Sequence, residues 1–348
     1  MLQIKKKTLV RNFCCDFKEG AMMWSPLSDL TARLKAQGGM VNAHAHFDRA
    51  FSVTAQDFKN TNGNVNSHLH EKWKLVDAFK SAASEEIYFD HITAALRTQH
   101  VQGVCTCLSF IDCDSVAGDR AINAALRAKK YAATELHMKF ILACQTLKGV
   151  ISPEARHWFE VALEHVQIIG GLPGADKGHE EEHLDVILKA GRDLNKRVHV
   201  HVDQLNCATE KETELLARKT IAWGMEGKVT AVHGISIAAH SQAYRQELYK
   251  ICADAGLSFV ACPTAWIDSR RTEVLAPSHN AVTPIDEMIP AGLTVAIGSD
   301  NISDLYKPFC NGDMLIELRV LLESTHFYDV DELVKVATFN GLKVLGLD

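Results

Sequence analysis

Two histidines one residue apart, His44 and His46, lie in the stretch GGMVNAHAHFDRA at residues 38–50. Side chains on a strand alternate between faces, so positions 44 and 46 point the same way. On a helix the same spacing would splay the rings apart. Two imidazoles side by side at the end of a buried strand make half of a metal site. The other half has to come from elsewhere in the chain. His201 in RVHVHVDQ, His233 in KVTAVHGIS and Asp300 in LTVAIGSDN each stand near the end of a short apolar, β-branched run, where they can converge.

Those runs belong to a repeating pattern. From residue 87 onward, amphipathic helical stretches alternate with GVCTCLSFIDC (103–113), MKFILACQT (138–146), VQIIGGLP (166–173), RVHVHVDQ (197–204), KVTAVHGIS (228–236), LSFVACPTA (257–265) and LTVAIGSDN (293–301). A helix such as HLDVILKAGRDL shows one apolar face through Leu184, Ile187, Leu188 and Leu194. With the His44 run there are eight strands. Near-continuous apolar strands imply burial on both faces and parallel pairing. Eight β/α units predict an α/β fold of the closed (β/α)8 TIM type. An open doubly wound sheet is disfavoured, because no GxGxxG turn follows a strand.

Barrel chemistry sits at the C-terminal ends of the strands. Read in order, those ends carry His44, His46 and Asp48; Asp112; Gln145; Pro173; His201, Asp203 and Gln204; His233; Trp266, Asp268, Arg270 and Arg271; and Asp300. His44, His46, His201 and Asp300 together suit one divalent metal ion. Zinc is the first choice, with Fe2+ or Mn2+ also served by such ligands. An open position would hold a water whose pKa falls to about 7 on zinc. Asp300 can accept that water's proton, and His233 can stabilise an oxyanion as attack proceeds. Any one histidine alone would read as a hydrogen-bonded core residue; the joint pattern carries the inference. His199, one pleat deeper than His201, reads as a core or supporting residue.

Composition narrows the class. A hydrophobic share of 47% and a charged share of 23% are those of a soluble globular enzyme. A net charge of -6 argues against a nucleic-acid partner. No apolar run reaches the roughly 18 residues of a membrane span, and Lys5, Lys6 and Lys7 are not followed by the apolar stretch of a signal peptide. Ten cysteines without CxxC spacing read as reduced core thiols, so a cytoplasmic setting is expected. Residues 1–37, with Leu30 and Leu34 on one side of SDLTARLKAQ, are read as a covering segment, and residues 38–348 as the barrel domain. His68 and His70 repeat the HxH spacing, but they open a charged helical segment after a polar loop. That segment is read as a lid rather than a second metal site. The expected partner is a small molecule, and a homo-oligomer is compatible with the sequence.

The motifs HAHFD, HVDQ, VTAVHGIS and GSDN, in that order, resemble the amidohydrolase superfamily over roughly residues 38–347, including the closing ATFNGLKVLGL. Within it the pattern is most similar to the cytosine deaminase group, which also contains hydrolases of aminated triazine rings. The resemblance implies metal ligands His44, His46, His201 and Asp300, with His233 over the metal's water. It also implies that Gln145 binds substrate at the end of strand three and that Tyr306 is the aromatic residue after strand eight. Strand four carries no lysine, so the carboxylated-lysine bridge of binuclear members is excluded and one metal is expected.

Three departures qualify the resemblance. The deaminases carry HxDE on strand five, where glutamate moves protons to the ring nitrogen; here the position is Gln204, and an amide cannot exchange protons. Either another acid substitutes or the substrate needs no ring protonation. The superfamily's small β-sandwich is expected to be reduced or absent. Phe110 stands where related sequences often have histidine, making that side of the pocket apolar or offering a ring to stack on a planar ligand. Arg270 and Arg271 could grip a carboxylate or acidic ring oxygen, or form a surface ion pair. Trp266 and Tyr306 either flank a flat substrate or pack against the lid. Asp48 and Asp304 are expected to hold loops or neighbouring ligands through hydrogen bonds.

The reading is a metal-dependent hydrolase that cleaves a C–N bond of a small planar N-heterocycle, releasing ammonia or an amine. Two rivals are a cyclic amide or lactam hydrolase that does not deaminate, and a metal-retaining binding protein without catalysis.

Overall fold

The computed structural model describes residues 25–59, 63–205, 207–268 and 282–348, apart from the side chains of residues 66 and 266–268. Cys14, Cys15, Arg270, Arg271 and the side chain of Trp266 therefore lie outside the described residues. Eight strands form one sheet in sequence order, each parallel to the next. They are β1 (Met40–Asn42), β2 (Val104–Asp112), β3 (Lys139–Gln145), β4 (Ile168–Gly171), β5 (Arg197–Val202), β6 (Val229–His233), β7 (Ser258–Ala261) and β8 (Val295–Ile297). Helix α1 (Pro26–Ala36) precedes β1; α2 (Leu69–Ala82) and α3 (Glu85–Val101) follow it. Next come α4 (Arg120–Glu135), α5 (Pro153–Leu163), α6 (Glu180–Asp193), α7 (Glu212–Ala222), α8 (Gln242–Asp254) and the single turn α9 (Ile285–Met288), one after each strand from β2 to β7. Three helices, α10 (Met314–Thr325), α11 (Val330–Ala337) and α12 (Phe339–Leu345), follow β8. This is the expected (β/α)8 barrel. Among the described residues every strand belongs to the one sheet, so no β-sandwich is found there.

Burial on both strand faces follows from two concentric cores. Val41, Leu108, Phe110, Ala143, Ile168, Val232, Val260 and Ala296 fill the barrel and pack with Val344 and Leu345 of α12. Their neighbours one residue away, such as Cys107, Ile111, Ala231, Phe259 and Val295, face outward into the larger core beneath the helices. His199 is a core residue of the interior, its Nε2 2.9 Å from the carbonyl of Val344. The expected α6 face holds for Leu184, Ile187 and Leu188, which are fully buried, but Leu194 is exposed because the helix ends at Asp193. Leu30 and Leu34 of α1 are buried as expected, and Arg33 pairs with Asp331 of α11. The eight described cysteines are free thiols. No described helix is long and apolar enough to cross a membrane.

Closure excludes the open sheet. Ala43 donates its N–H to the Ile297 carbonyl and Asp300 donates to that of His44, each at 3.0 Å. Asn42 pins this seam with its whole amide: Oδ1 accepts from Ser299 N–H at 3.0 Å, and Nδ2 donates to Ser299 Oγ at 2.8 Å and Gln99 Oε1 at 3.0 Å. Gly298 lets the strands meet, since a Cβ there would lie 2.7–2.8 Å from His44 N, O and Cβ. Gly298→Ala should therefore cost about 1–3 kcal/mol in denaturant unfolding and weaken metal retention, because the backbone of His44 cannot give way without moving its ring. An unchanged unfolding midpoint would contradict this account of the seam.

Candidate metal centre

Beyond β1 the chain stays extended. Ala45 bridges to Asp300, and its carbonyl accepts from Phe110 N–H at 2.8 Å. The backbone between the two histidines is thus held on both sides, and the alternation expected of a strand persists past its last residue. The rings of His44 and His46 lie 4.9 Å apart, and His201 from β5 lies 4.8 Å from His44. Asp300 Oδ1 is 3.4 Å from His44 Nε2 and 3.2 Å from His46 Nε2. His233, at the end of β6, has its ring 5.5 Å from His44 and 5.4 Å from His201. Potential ligand atoms of His44, His46 and His201 lie within 4.8 Å of one another, as do those of His44, His233 and Asp300. All five residues are buried.

The protonation states fit a cation. Burial depresses His44, and it takes His46 and His201 well below the ordinary imidazole range; Arg49 lowers His46 further, and His44 and His233 lower His201 further. Neutral rings keep their lone pairs. Burial alone would raise the Asp300 carboxyl, but contacts with His44 and His46 and the nearby His233 bring it well below its usual range. Nε2 of His44 and of His201 are buried without a hydrogen-bond partner. His201 Nδ1 lies 3.1 Å from the Gly171 carbonyl, to which it donates, leaving Nε2 as the lone-pair nitrogen. Buried lone pairs converging with a carboxylate are costly unless a positive charge joins them. His44, His46, His201 and Asp300 are the residues that would hold a divalent ion, and His233 stands beside them with Nδ1 unpartnered.

Backbone strain concentrates here. Asp203, His233 and Asp300 adopt left-handed φ values of 51°, 75° and 57°, a conformation uncommon for residues with side chains. Each follows or ends a strand; at His233 and Asp300 the side chain joins the cluster, while the Asp203 carboxylate accepts from the Glu212 and Thr213 N–H groups at the start of α7.

The remaining expected residues fall into three groups. Phe110 is fully buried with its ring 4.8 Å from His44 and 4.7 Å from His201, a position that suits an apolar floor under the ligands better than a stacking surface. Gly170 makes room for it, since a Cβ there would meet Phe110 Cε1 at 2.6 Å. Gln145 is buried at the end of β3, its Oε1 accepting from Thr146 N–H, and Gln204 is half-buried after Asp203. Tyr306 is buried under the Arg49 guanidinium, 5.3 Å from its ring, with Lys72 of α2 6.0 Å away and donating to the Tyr306 carbonyl. Trp266 lies in the turn Pro263–Asp268 after β7, and Arg270 is outside the described residues. Helix α2 is the expected lid: its Leu69 and Val76 pack with Leu147, Leu172, Leu305 and Tyr306, while His70 is exposed.

Asp48 and Asp304 hold backbone as expected. Asp48 accepts from Asp112 N–H at 2.7 Å, and Asp304 accepts from Tyr306 and Lys307 N–H at 2.9 and 3.1 Å. Sequence reasoning missed their companions. Arg49 bridges Asp112 and Asp304, and buried Lys80 bridges Asp112 and Asp114. It also missed two half-buried carboxyls in the loop after β5 and at the start of α7. Glu210 accepts from Leu205 N–H and Ser236 Oγ, and Glu212 accepts from Asp203 N–H. Nothing in a run such as NCATEKETELL separates these two from surface charge.

Comparison with known proteins agrees with this architecture. A family model described as "Amidohydrolase family" matches residues 58–348. An uncharacterised protein of Haemophilus influenzae is 46% identical over 257 residues, 73% of this chain and 91% of that protein. The N-isopropylammelide isopropyl amidohydrolase of Pseudomonas sp. is 26% identical over 319 residues, 89% of this chain and 74% of that enzyme. The crystal structure of 5-methylcytosine deaminase from Klebsiella pneumoniae superposes with a TM-score of 0.80 at 23% identity, covering 89% of this chain and 75% of that one, and so shares its fold. With the barrel, its buried histidines and the family model in accord, the chain belongs to the amidohydrolase family.

Proposed function

We propose that this protein is a mononuclear metal-dependent hydrolase that breaks a C–N bond in a small planar N-heterocycle, releasing ammonia or an amine. The observation that carries the reading is the approach of Asp300 Oδ1 to within 3.2–3.4 Å of two neutral, buried imidazoles. Zinc suits three nitrogens and one carboxylate oxygen, and such an ion supplies Lewis acidity and lowers the pKa of a water to about 7. The relatives named above, an isopropylammelide amidohydrolase and a methylcytosine deaminase, support the heterocycle class.

This chain's own residues supply the rest. Asp300, kept ionised at neutral pH, takes the proton of the attacking water and returns it to the departing nitrogen. His233 is neutral, its pKa brought down to about 4 chiefly by burial, so it stabilises developing oxyanion charge by donating a hydrogen bond. Phe110 and the α2 lid keep bulk water away. Gln145, at the end of β3, and Tyr306, just beyond β8, are the residues we assign to orienting the ring.

Gln204 cannot move protons, so either another acid protonates the ring or the substrate needs no ring protonation. Glu212 keeps its proton up to about 8 and Glu210 up to about 7; burial is the main cause, with the Asp203 charge adding to both. A general acid serves best with a pKa near the working pH, and these two are tuned to that range. The Gln204 position favours, as a second reading, opening of a cyclic amide with no ammonia released.

Three outcomes test these assignments. Zinc-loaded protein should release ammonia or an amine from at least one member of a panel of pyrimidines, triazines and pterins, and chelation should abolish it; ring-opened product without amine would favour the second reading. Asp300→Asn should keep the fold by circular dichroism and lose at least about 10²-fold in kcat, the lower end of what a positioned acid–base group contributes; wild-type turnover would overturn its role. Glu212 holds a proton in the native state that the unfolded chain releases near 4.5, so its contribution to stability declines as pH rises from about 4.5 to about 8. Glu212→Gln should flatten the fall in Tm across that window, and an unaltered slope would remove the carboxyl from consideration.

A further inference from the structure

Behind His201 stands a chain of hydrogen bonds that the reaction does not use. His183 of α6 is fully buried and belongs to none of the motifs that carried the functional reading. Its Nδ1 lies 2.7 Å from Asp176 Oδ2, and its Nε2 accepts the N–H of Leu172 at 3.0 Å. Burial lowers the His183 pKa, so the ring is neutral, and the Leu172 donor fixes its tautomer: the proton is on Nδ1, facing Asp176. The Asp176 carboxyl is lowered despite burial by the His183 contact and by the Val150 N–H, which Oδ2 accepts at 2.7 Å, so it is a carboxylate.

The Leu172 N–H and the Gly171 carbonyl belong to one peptide unit, and that carbonyl accepts the Nδ1 proton of His201 at 3.1 Å. We infer that Asp176 and His183 are positioning residues that act through the Gly171–Leu172 peptide to strengthen His201 as a metal ligand. Peptide groups polarise along a hydrogen-bond chain: a better acceptor at the N–H makes the C=O of the same unit a better acceptor in turn. The carboxylate therefore pulls on His183 Nδ1–H, His183 Nε2 pulls on Leu172 N–H, and the Gly171 oxygen pulls on His201 Nδ1–H. Electron density is left on His201 Nε2, the nitrogen without a partner. Ligating histidines commonly donate their second N–H to a carboxylate or carbonyl directly, which raises ligand basicity. Here the carboxylate is reached through a second imidazole and a peptide.

The geometry is built to hold this path. Gly171 is packed so closely that a Cβ would meet Ile187 Cδ1 at 2.3 Å, and Gly149 lies so near Asp176 that a Cβ there would meet its carboxylate. The peptide and the carboxylate are each wedged in place.

This inference rests on the metal reading of His201, and the experiment separates the two. In Asp176→Asn the amide oxygen can keep both hydrogen bonds, so the loop stays while the charge goes. In His183→Gln, Oε1 can still accept the Leu172 N–H, so the peptide keeps a partner while the link to the carboxylate is cut. Two measurements are made on each variant and on wild type: the His201 Nδ1–H proton resonance in the metal-free protein, and the zinc dissociation constant from chelator competition. Expected are an upfield move of that resonance and a loss of zinc affinity of about tenfold in each variant, with the double variant no worse than the singles. A resonance unmoved in both variants overturns the relay, even if zinc affinity falls, because a loosened loop alone would account for that fall. A resonance shifted in the variants, together with a wild-type protein that binds no zinc, would uphold the relay as a hydrogen-bond chain and sink the metal reading.

Discussion

The contact between the backbones of His44 and Asp300 is the constraint on which the site depends. It joins the first strand to the last, and the same 3.0 Å hydrogen bond that shuts the barrel sets a carboxylate beside two imidazoles. Chemistry and closure therefore stand or fall together. Gly298 and Asn42 are the two residues that permit it, one by having no side chain and the other by satisfying three groups with a single buried amide. A barrel that failed to close would part the Asp300 carboxylate from His44 and His46. The left-handed turns at His233 and Asp300 belong to the same economy, because strain of this kind persists only where surrounding structure over-determines it.

Much of this was legible in the sequence, for a physical reason. Histidine at the end of an apolar strand run is rare enough that four such positions in barrel order, joined by Asp300, point to one mouth, and a parallel strand announces itself by apolar residues on both faces. The histidine pair His44 and His46 could be placed although the strand proper stops at Asn42, since backbone pairing at Ala45 maintains the alternation. What stayed hidden were lone charged residues whose partners are distant. Lys72, Lys80, Asp114, Asp176 and Glu212 each sit in a helix or loop of mixed polarity, where a single sequence offers solvent as the simpler surrounding. Only tertiary packing reveals that Lys80 is fully buried. Leu194 failed in the opposite sense: the apolar period runs one residue past the helix, and the last leucine falls outside the core.

The substrate side of the site shows the same division. The family resemblance implied roles for Gln145 at a strand end and Tyr306 beyond one, but Phe110 could be assigned either an apolar wall or a stacking surface. Its ring turns out to lie among the imidazoles with no exposed surface. A phenylalanine there does two things that a histidine would not. It adds no competing lone pair to a cluster already rich in them, and it lowers the local polarity, which strengthens every electrostatic contact above it.

The buried ions around the centre make sense in those terms. Arg49 and Lys307 are held within the barrel mouth by Asp112, Asp304 and Glu317, and Lys307 also donates to the Ser299 carbonyl at 2.6 Å. Such networks are weak evidence for stability, because desolvation offsets most of the attraction. Their effect on the neighbours is clearer. Arg49 and Lys307 both push the His44 pKa down, and Arg49 does the same to His46. A fixed positive charge at that distance opposes protonation of the imidazoles without occupying their lone pairs. The cations thus add to burial, the larger cause, in keeping His44 and His46 neutral, while the relay behind His201 makes that ring more basic. Two opposed influences, one electrostatic through space and one through hydrogen bonds, leave neutral nitrogens of graded donor strength around a single carboxylate.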